Sequence, residues 1–89
     1  MSGFELEVVT PLGVMVAAHG VESVVVRRED GGRPGCEVAV LQAHAPMLTH
    51  TSACEMRWIV DGHTHRTPVG SGVMEVLDGR VTIVVPSAS

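Results

Sequence analysis

Apolar residues in this chain come in short runs and never at the spacing of a helix. No stretch places them at i, i+3, i+4 and i+7 over the roughly 11 residues that an amphipathic helix takes. Val supplies 17 of the 89 residues, and Phe4 and Trp58 are the two aromatic ones. Branching at Cβ suits a pleated, half-buried surface better than a helical turn, so a Val-rich, Leu-poor chain reads as β with almost no helix. A chain this short buries only about 60 to 65% of its unfolded surface. With 45% of its residues hydrophobic, any apolar area left outside therefore needs a reason.

The runs resolve into strands. Phe4-Glu5-Leu6-Glu7-Val8 alternates and ends at the turn formers Thr10-Pro11-Leu12-Gly13. A second strand is expected over residues 14–18, a break at His19-Gly20, and a third, largely buried strand over residues 21–28. The stretch 29–35 holds charge, three Gly and one Pro, and is expected to be a mobile loop. Val38-Ala39-Val40-Leu41 reads as a strand and His44-Ala45-Pro46 as a turn, since the residue before Pro is pushed out of the helical region. Two Asp-Gly dipeptides, Asp61-Gly62 and Asp78-Gly79, each sit between apolar runs and predict type I′ hairpins joining residues 53–60 to 63–69 and 73–77 to 80–85. Between the hairpins, Gly70-Ser71-Gly72 marks a reversal where two layers can exchange strands. The expectation is an all-β single domain, an antiparallel β-sandwich or flattened barrel of about ten short strands.

Charge narrows the function. Six basic residues, all Arg, face ten acidic ones for a formal net charge of -4, which argues against a nucleic-acid or anionic-membrane partner. Two cysteines are too few for a disulfide framework, and no apolar run has signal-peptide or transmembrane length. These features point to a reducing, cytoplasmic compartment without direct membrane insertion.

Few residues carry the pattern of a chemical site. His63 and His65 lie at i, i+2 on one face of a strand, the spacing by which β proteins offer two imidazoles to a metal. Ile59 and Arg57 are their expected neighbours on the facing strand, and no carboxylate follows closely. A small metal-binding β-barrel enzyme is the alternative reading that this pair allows, and an ordinary polar strand face is the plain one. Cys36, His44, His50 and Cys54 lack any paired-ligand spacing, and neither Cys has the local signature of a nucleophile. Glu5 and Glu7 read as a solvated strand face, and the Gly-rich stretches lack the strand-to-helix setting that cradles phosphate. Composition and spacing alone say only that this is a soluble β domain without evident catalytic machinery, with no metal, cofactor or catalytic residues expected. An unrelated β-sandwich interaction module is the other alternative.

The order of certain residues says more. The run Val38-Ala39-Val40-Leu41-Gln42-Ala43-His44-Ala45-Pro46-Met47-Leu48-Thr49 resembles the segment G-x-L-G-I-x-P-G-H-A-P-L-L-T of the F-type ATP synthase epsilon subunit, called delta in mitochondria. Val69-Gly70-Ser71-Gly72-Val73-Met74-Glu75-Val76 and Val81-Thr82-Ile83-Val84 are similar to its later strands, and Leu6-Glu7-Val8-Val9-Thr10-Pro11 to its first. Departures lie at Cys36, Ala39 and Gln42-Ala43, which replace Gly, Gly and Pro-Gly, and in a longer 29–35 stretch. They place the chain in a divergent branch. The family's C-terminal helical hairpin, which can inhibit ATP hydrolysis and in some members binds ATP, would follow Ser89, and the sequence ending there is what either a natural short form or a truncated chain would give.

The resemblance implies a non-catalytic rotor subunit of a proton- or sodium-translocating F-type ATP synthase. It sits at the foot of the central stalk, on the cytoplasmic face of the bacterial inner membrane. Gamma lies along one side and the polar loops of the c-ring at one end. Carried over position by position, Thr10, His44 and Thr49 face gamma, while Glu37, with Glu29 and Asp30 beside it, faces the c-ring. Part of the Val, Ala and Met surface of the outer sheet then becomes a gamma-binding face.

Overall fold

A computed structural model describes residues 3–42 and 45–86, and every described element is a strand. In chain order these are β1 (Phe4–Thr10), β2 (Gly13–Asp30), β3 (Arg33–Val40), β4 (Met47–Thr51), β5 (Cys54–Val60), β6 (His63–Val69), β7 (Gly72–Leu77) and β8 (Arg80–Val84). They form one hydrogen-bonded ladder in the order β1-β8-β7-β4-β2-β5-β6, with β3 added to β2 and a further pairing of β1 with β2. Because β2, fifth along this path, also pairs with its first strand β1, the ladder folds over on itself. Its first half, with β1, β8, β7 and β4, makes one layer, and its second half, with β3, β5 and β6, makes the other.

The two expected strands over residues 14–18 and 21–28 are thus one strand of 18 residues. The predicted break at His19-Gly20 is a bend within it. Gly20 sits at φ +63°, and there β2 passes from pairing with β1 to pairing with β5. The expected mobile loop over residues 29–35 is also overturned. Asp30 pairs with Arg33 across Gly31-Gly32, whose φ values of 60° and 82° are those of a type I′ turn, so the segment is the tip of a β2–β3 hairpin. With those mergers, and with a strand at residues 47–51 that the sequence reading did not mark, the described residues hold eight strands. Both Asp-Gly turns form as expected, with Asp61 and Asp78 at φ 51°. One pairing departs from the antiparallel rule: β1 and β8 run parallel, Leu6 beside Val81 and Val8 beside Ile83.

Alternation places the core. Phe4, Leu6 and Val8 of β1 meet Val21, Val24 and Val26 of β2, Met56 and Trp58 of β5, Met74 and Val76 of β7, and Val81 and Ile83 of β8. The link from β6 to β7 crosses between layers, and Ser71 Oγ accepts the backbone N–H of Ala53 at 3.2 Å there. Gly72, at the start of β7, is buried, and a Cβ at that position would come within 2.1 Å of the Val84 carbonyl oxygen. One buried polar atom stands out. Thr51 Oγ1 has no hydrogen-bond partner among the described residues, though Thr51 is 2% exposed.

Two substitutions test this packing. Gly72→Ala is expected to cost at least ~2 kcal/mol in urea denaturation, because the obstacle is backbone and cannot rotate away. Thr51→Val, which keeps the shape and removes the unsatisfied hydroxyl, is expected to raise stability by about 1 kcal/mol in the same measurement.

Candidate functional site

The layer containing β1, β8, β7 and β4 presents an unusual outer face. Where Val8, Ile83 and Met74 point inward with no exposure, their neighbours Val9, Val84 and Val73 point outward. Register aligns them: Val9 pairs with Val84, Val84 with Val73, and Val73 with His50. Val14 of β2 extends the row beyond Val9, with Met15 beside it, and both are exposed. An outward apolar row spans the layer. The next row is polar, with Glu7, Thr82 and Glu75 in register and Leu48 at its end. In the third row Arg80 Nη2 donates to Glu5 Oε1 at 3.0 Å, and His19 Nδ1 lies 3.8 Å from Glu5 Oε2.

Of the residues expected to face gamma, Thr10 and Thr49 lie on the outermost strands of this layer's row but not on its outer face. Thr10 lies next to Val9, but its hydroxyl is occupied by the β1–β2 turn, accepting from the Leu12 N–H at 3.1 Å and donating to the Gly13 carbonyl at 3.3 Å. Thr49 lies on β4 next to His50 and is half-buried on the inner side. With β8 and β7 between β1 and β4, and Thr10 two residues beyond Val8, which stands in the row of Thr49, the two threonines are about 16 Å apart at ordinary strand spacing. The valine row, rather than any direct contact, joins their strands. His44 lies outside the described residues. Sequence reading expects part of the outer Val surface at gamma but singles out none of Val9, Val73 or Val84 as contacts. The signal was present in Val8-Val9 and Ile83-Val84-Val85, where apolar residues occupy both phases of a strand and so both of its faces.

The other layer has a charged outer face. Arg57 on β5 donates to Glu37 on β3 through both fork nitrogens, Nη1 to Oε2 at 3.1 Å and Nη2 to Oε1 at 3.2 Å. Arg27 of β2, the strand between them, lies 3.8 Å from Glu37 Oε2 and donates to the Gly35 carbonyl at 2.7 Å. Glu55 and Arg66 form a looser pair at 3.4 Å. The hydrogen bond from Arg57, its charge, and then the charge of Arg27 hold the Glu37 carboxyl below its ordinary value. Glu29, Asp30 and Glu37, expected at the c-ring, are thus brought together on one hairpin, with Glu37 at its root and the other two near its tip. A shallow groove of about 270 Å³ beside this cluster is lined by groups that include Arg27, Pro34, Glu37, Cys54 and Arg57. It is smaller and more charged than the apolar pockets that hold small molecules.

The histidine pair sits elsewhere than expected. The two-residue turn at Asp61-Gly62 pairs Val60 with His63 and hence Trp58 with His65, so Ile59 and Arg57 face Thr64 and Arg66 instead. His65 lies over the Trp58 ring, with centroids 5.2 Å apart and planes 18° from parallel. It serves as an aromatic cover for the one Trp. Among the described residues, no group of three or more His, Cys, Asp or Glu side chains could hold a metal ion. Nor is any helix there long and apolar enough to cross a membrane.

Comparison with known proteins gives a consistent answer. The profile of the family described as ATP synthase, Delta/Epsilon chain, beta-sandwich domain matches residues 3–89. The chain is 32% identical over 84 residues to an ATP synthase epsilon chain of Carboxydothermus hydrogenoformans, covering 94% of this chain and 58% of that protein. It is 36% identical over 83 residues to one of Roseiflexus sp., covering 93% and 55%, and 32% identical over 88 residues to one of Bacillus licheniformis, covering 99% and 63%. The chain thus spans less than two thirds of the length of these relatives. Among solved structures it resembles a chain in the central stalk and c-ring of the Tetrahymena thermophila mitochondrial ATP synthase, with a TM-score of 0.70 at 12% identity. That match covers 98% of this chain and 67% of the other, and at such low identity it shows the fold alone.

The fork between Arg57 and Glu37 predicts a pH effect whose sign is fixed. A carboxyl lowered in the folded state stabilises above its unfolded pKa, and the contribution is lost as pH falls through the folded value. The thermal midpoint of the wild type should therefore exceed that of Glu37→Gln at pH ~7, and the gap should shrink at a second, acidic pH as the folded-state carboxyl takes up its proton. Midpoints that differ equally at both values would remove the ion pair from the explanation.

Proposed function

Because the chain belongs to the delta/epsilon β-sandwich family of ATP synthases, we propose that it works as a central-stalk rotor subunit, binding gamma along one sheet and the c-ring at one end. It makes and breaks no covalent bonds. Its task is mechanical: to keep the ring and gamma turning together, on the cytoplasmic side of a bacterial membrane and driven by protons or sodium ions.

The observation that carries this reading is the outward row of Val14, Val9, Val84 and Val73. In a small domain each exposed apolar side chain forgoes stabilisation that burial would give, and a row running across four strands is a face made to be covered. Of the residues expected at gamma, Thr10 and Thr49 are sequence neighbours of Val9 and His50 but lie in the opposite, inward phase of their strands, and His44 precedes β4 in sequence. A stable interface takes roughly 800 Å² from each partner, which a broad sheet face supplies and a groove does not. The β2–β3 hairpin carries Glu29, Asp30 and Glu37 and is the end assigned to the c-ring.

Copurification with a cognate gamma subunit tests the reading, and a protein that captures no gamma refutes it. Val84→Glu is expected to weaken gamma binding at least ~10-fold, equivalent to about 1.4 kcal/mol. Because Val84 is 48% exposed, that variant should keep its unbound stability to within about 1 kcal/mol, as thermal unfolding will report.

A further inference from the structure

We propose that Glu37 is a positioning residue rather than a contact, a brace that holds the β2–β3 hairpin against the body and leaves the c-ring contact to Glu29 and Asp30. The inference rests on the reading above that this hairpin faces the c-ring.

The hairpin is anchored unevenly. On its β2 side, the Arg27 carbonyl accepts the Ser52 N–H at 2.9 Å, the Arg28 carbonyl accepts the Ser52 hydroxyl at 3.3 Å, and Arg28 pairs with Thr51 of β4. On its β3 side the backbone pairs only with β2 among the described strands. Val38 and Val40 pack against the core, but none of the residues from Arg33 to Glu37 is buried. Glu37 stands where β3 leaves the body, and its side chain reaches over β2 to Arg57 on β5. That fork ties β3 to a strand with which it has no backbone pairing. Arg27, between them, adds a second tie through the Gly35 carbonyl.

The same geometry leaves Glu37 badly placed to meet a partner. Both of its oxygens accept from Arg57, and Arg27 faces the second. Two carboxylates near the tip differ in this respect. Glu29 and Asp30 are exposed and form no ion pair among the described residues. Both precede the Gly31-Gly32 turn on β2, with Arg33 and Pro34 opposite them on β3, and the turn carries no side chains to obstruct an approaching cationic or polar loop.

A cycle of Glu37→Gln, Arg57→Gln and the double variant separates brace from contact, because Arg57→Gln frees the Glu37 carboxylate without removing it. Two readouts are taken: amide exchange at residues 31–36 in the protein alone, and binding of its gamma complex to a detergent-solubilised c-ring. As a brace, each single variant speeds hairpin exchange about threefold with β1 and β8 unchanged, the double variant is no worse than either single one, and c-ring binding weakens alike in all three. Glu29→Gln with Asp30→Asn should weaken c-ring binding and leave hairpin exchange as it was. Unchanged hairpin exchange in Arg57→Gln overturns the brace, as does c-ring binding kept in Arg57→Gln but lost in Glu37→Gln. A wild type that binds gamma but no c-ring overturns the reading of this hairpin as the c-ring-facing end, and the exchange result still decides the brace.

Discussion

Strand β2 forms backbone ladders with four partners, and the architecture depends on its doing so. Its first half pairs with β1, its second half lies between β3 and β5, and Arg28 reaches β4. A straight strand of this length would be about 59 Å long, well beyond the 37 Å of the molecule's longest dimension, so it must bend. The positive φ at Gly20 and register shifts on either side provide the bend. Once β2 turns that corner, the strands attached to its two halves face one another, and the core is the space between them. A Cβ-bearing residue at position 20 would meet no steric obstacle there, so the constraint is one of backbone conformation alone.

Much of this could be read in the sequence, and the omissions have physical reasons. Asp61-Gly62 and Asp78-Gly79 were legible because a type I′ turn needs positive φ at two successive residues and few dipeptides tolerate it. Gly31-Gly32 meets the same need, but the charge and Pro34 around it resemble a loop, and cross-strand pairing rather than local propensity makes those residues strand. His19-Gly20 reads as a break because local rules do not distinguish the end of a strand from a bend within it. Residues 47–51 were missed because five residues after a Pro give too short a pattern, although Met47, Thr49 and Thr51 do alternate inward. The expected neighbours of His63 and His65 were displaced by one residue, and in a ladder of period two one residue changes the face.

The candidate surfaces were less legible than the fold. Thr10, Thr49 and the hairpin carboxylates came from resemblance, whereas the valine row is visible only once register aligns residues far apart in sequence. Glu37 shows the complementary difficulty. A carboxylate in a charged stretch reads as available to a partner, and only the geometry shows both oxygens engaged by an arginine 20 residues away. Exposed ion pairs contribute little to global stability, so this one matters through what it fixes in place rather than through the energy it adds.

The parallel pairing of β1 with β8 joins the first strand to the last: Glu5 lies beside Arg80, and the Glu5 N–H donates to the Gly79 carbonyl at 3.0 Å. No local hairpin can make that contact, so the layer cannot close until nearly the whole segment has been synthesised. A nascent chain leaving the ribosome would hold the inward faces of β1 and β2 without their core neighbours Val81 and Ile83 until β8 emerged. Such long-range closure belongs to the slow regime of small-domain folding, on the order of milliseconds to seconds. It also makes assembly all-or-none, so that a partner meets either the finished sheet face or none of it.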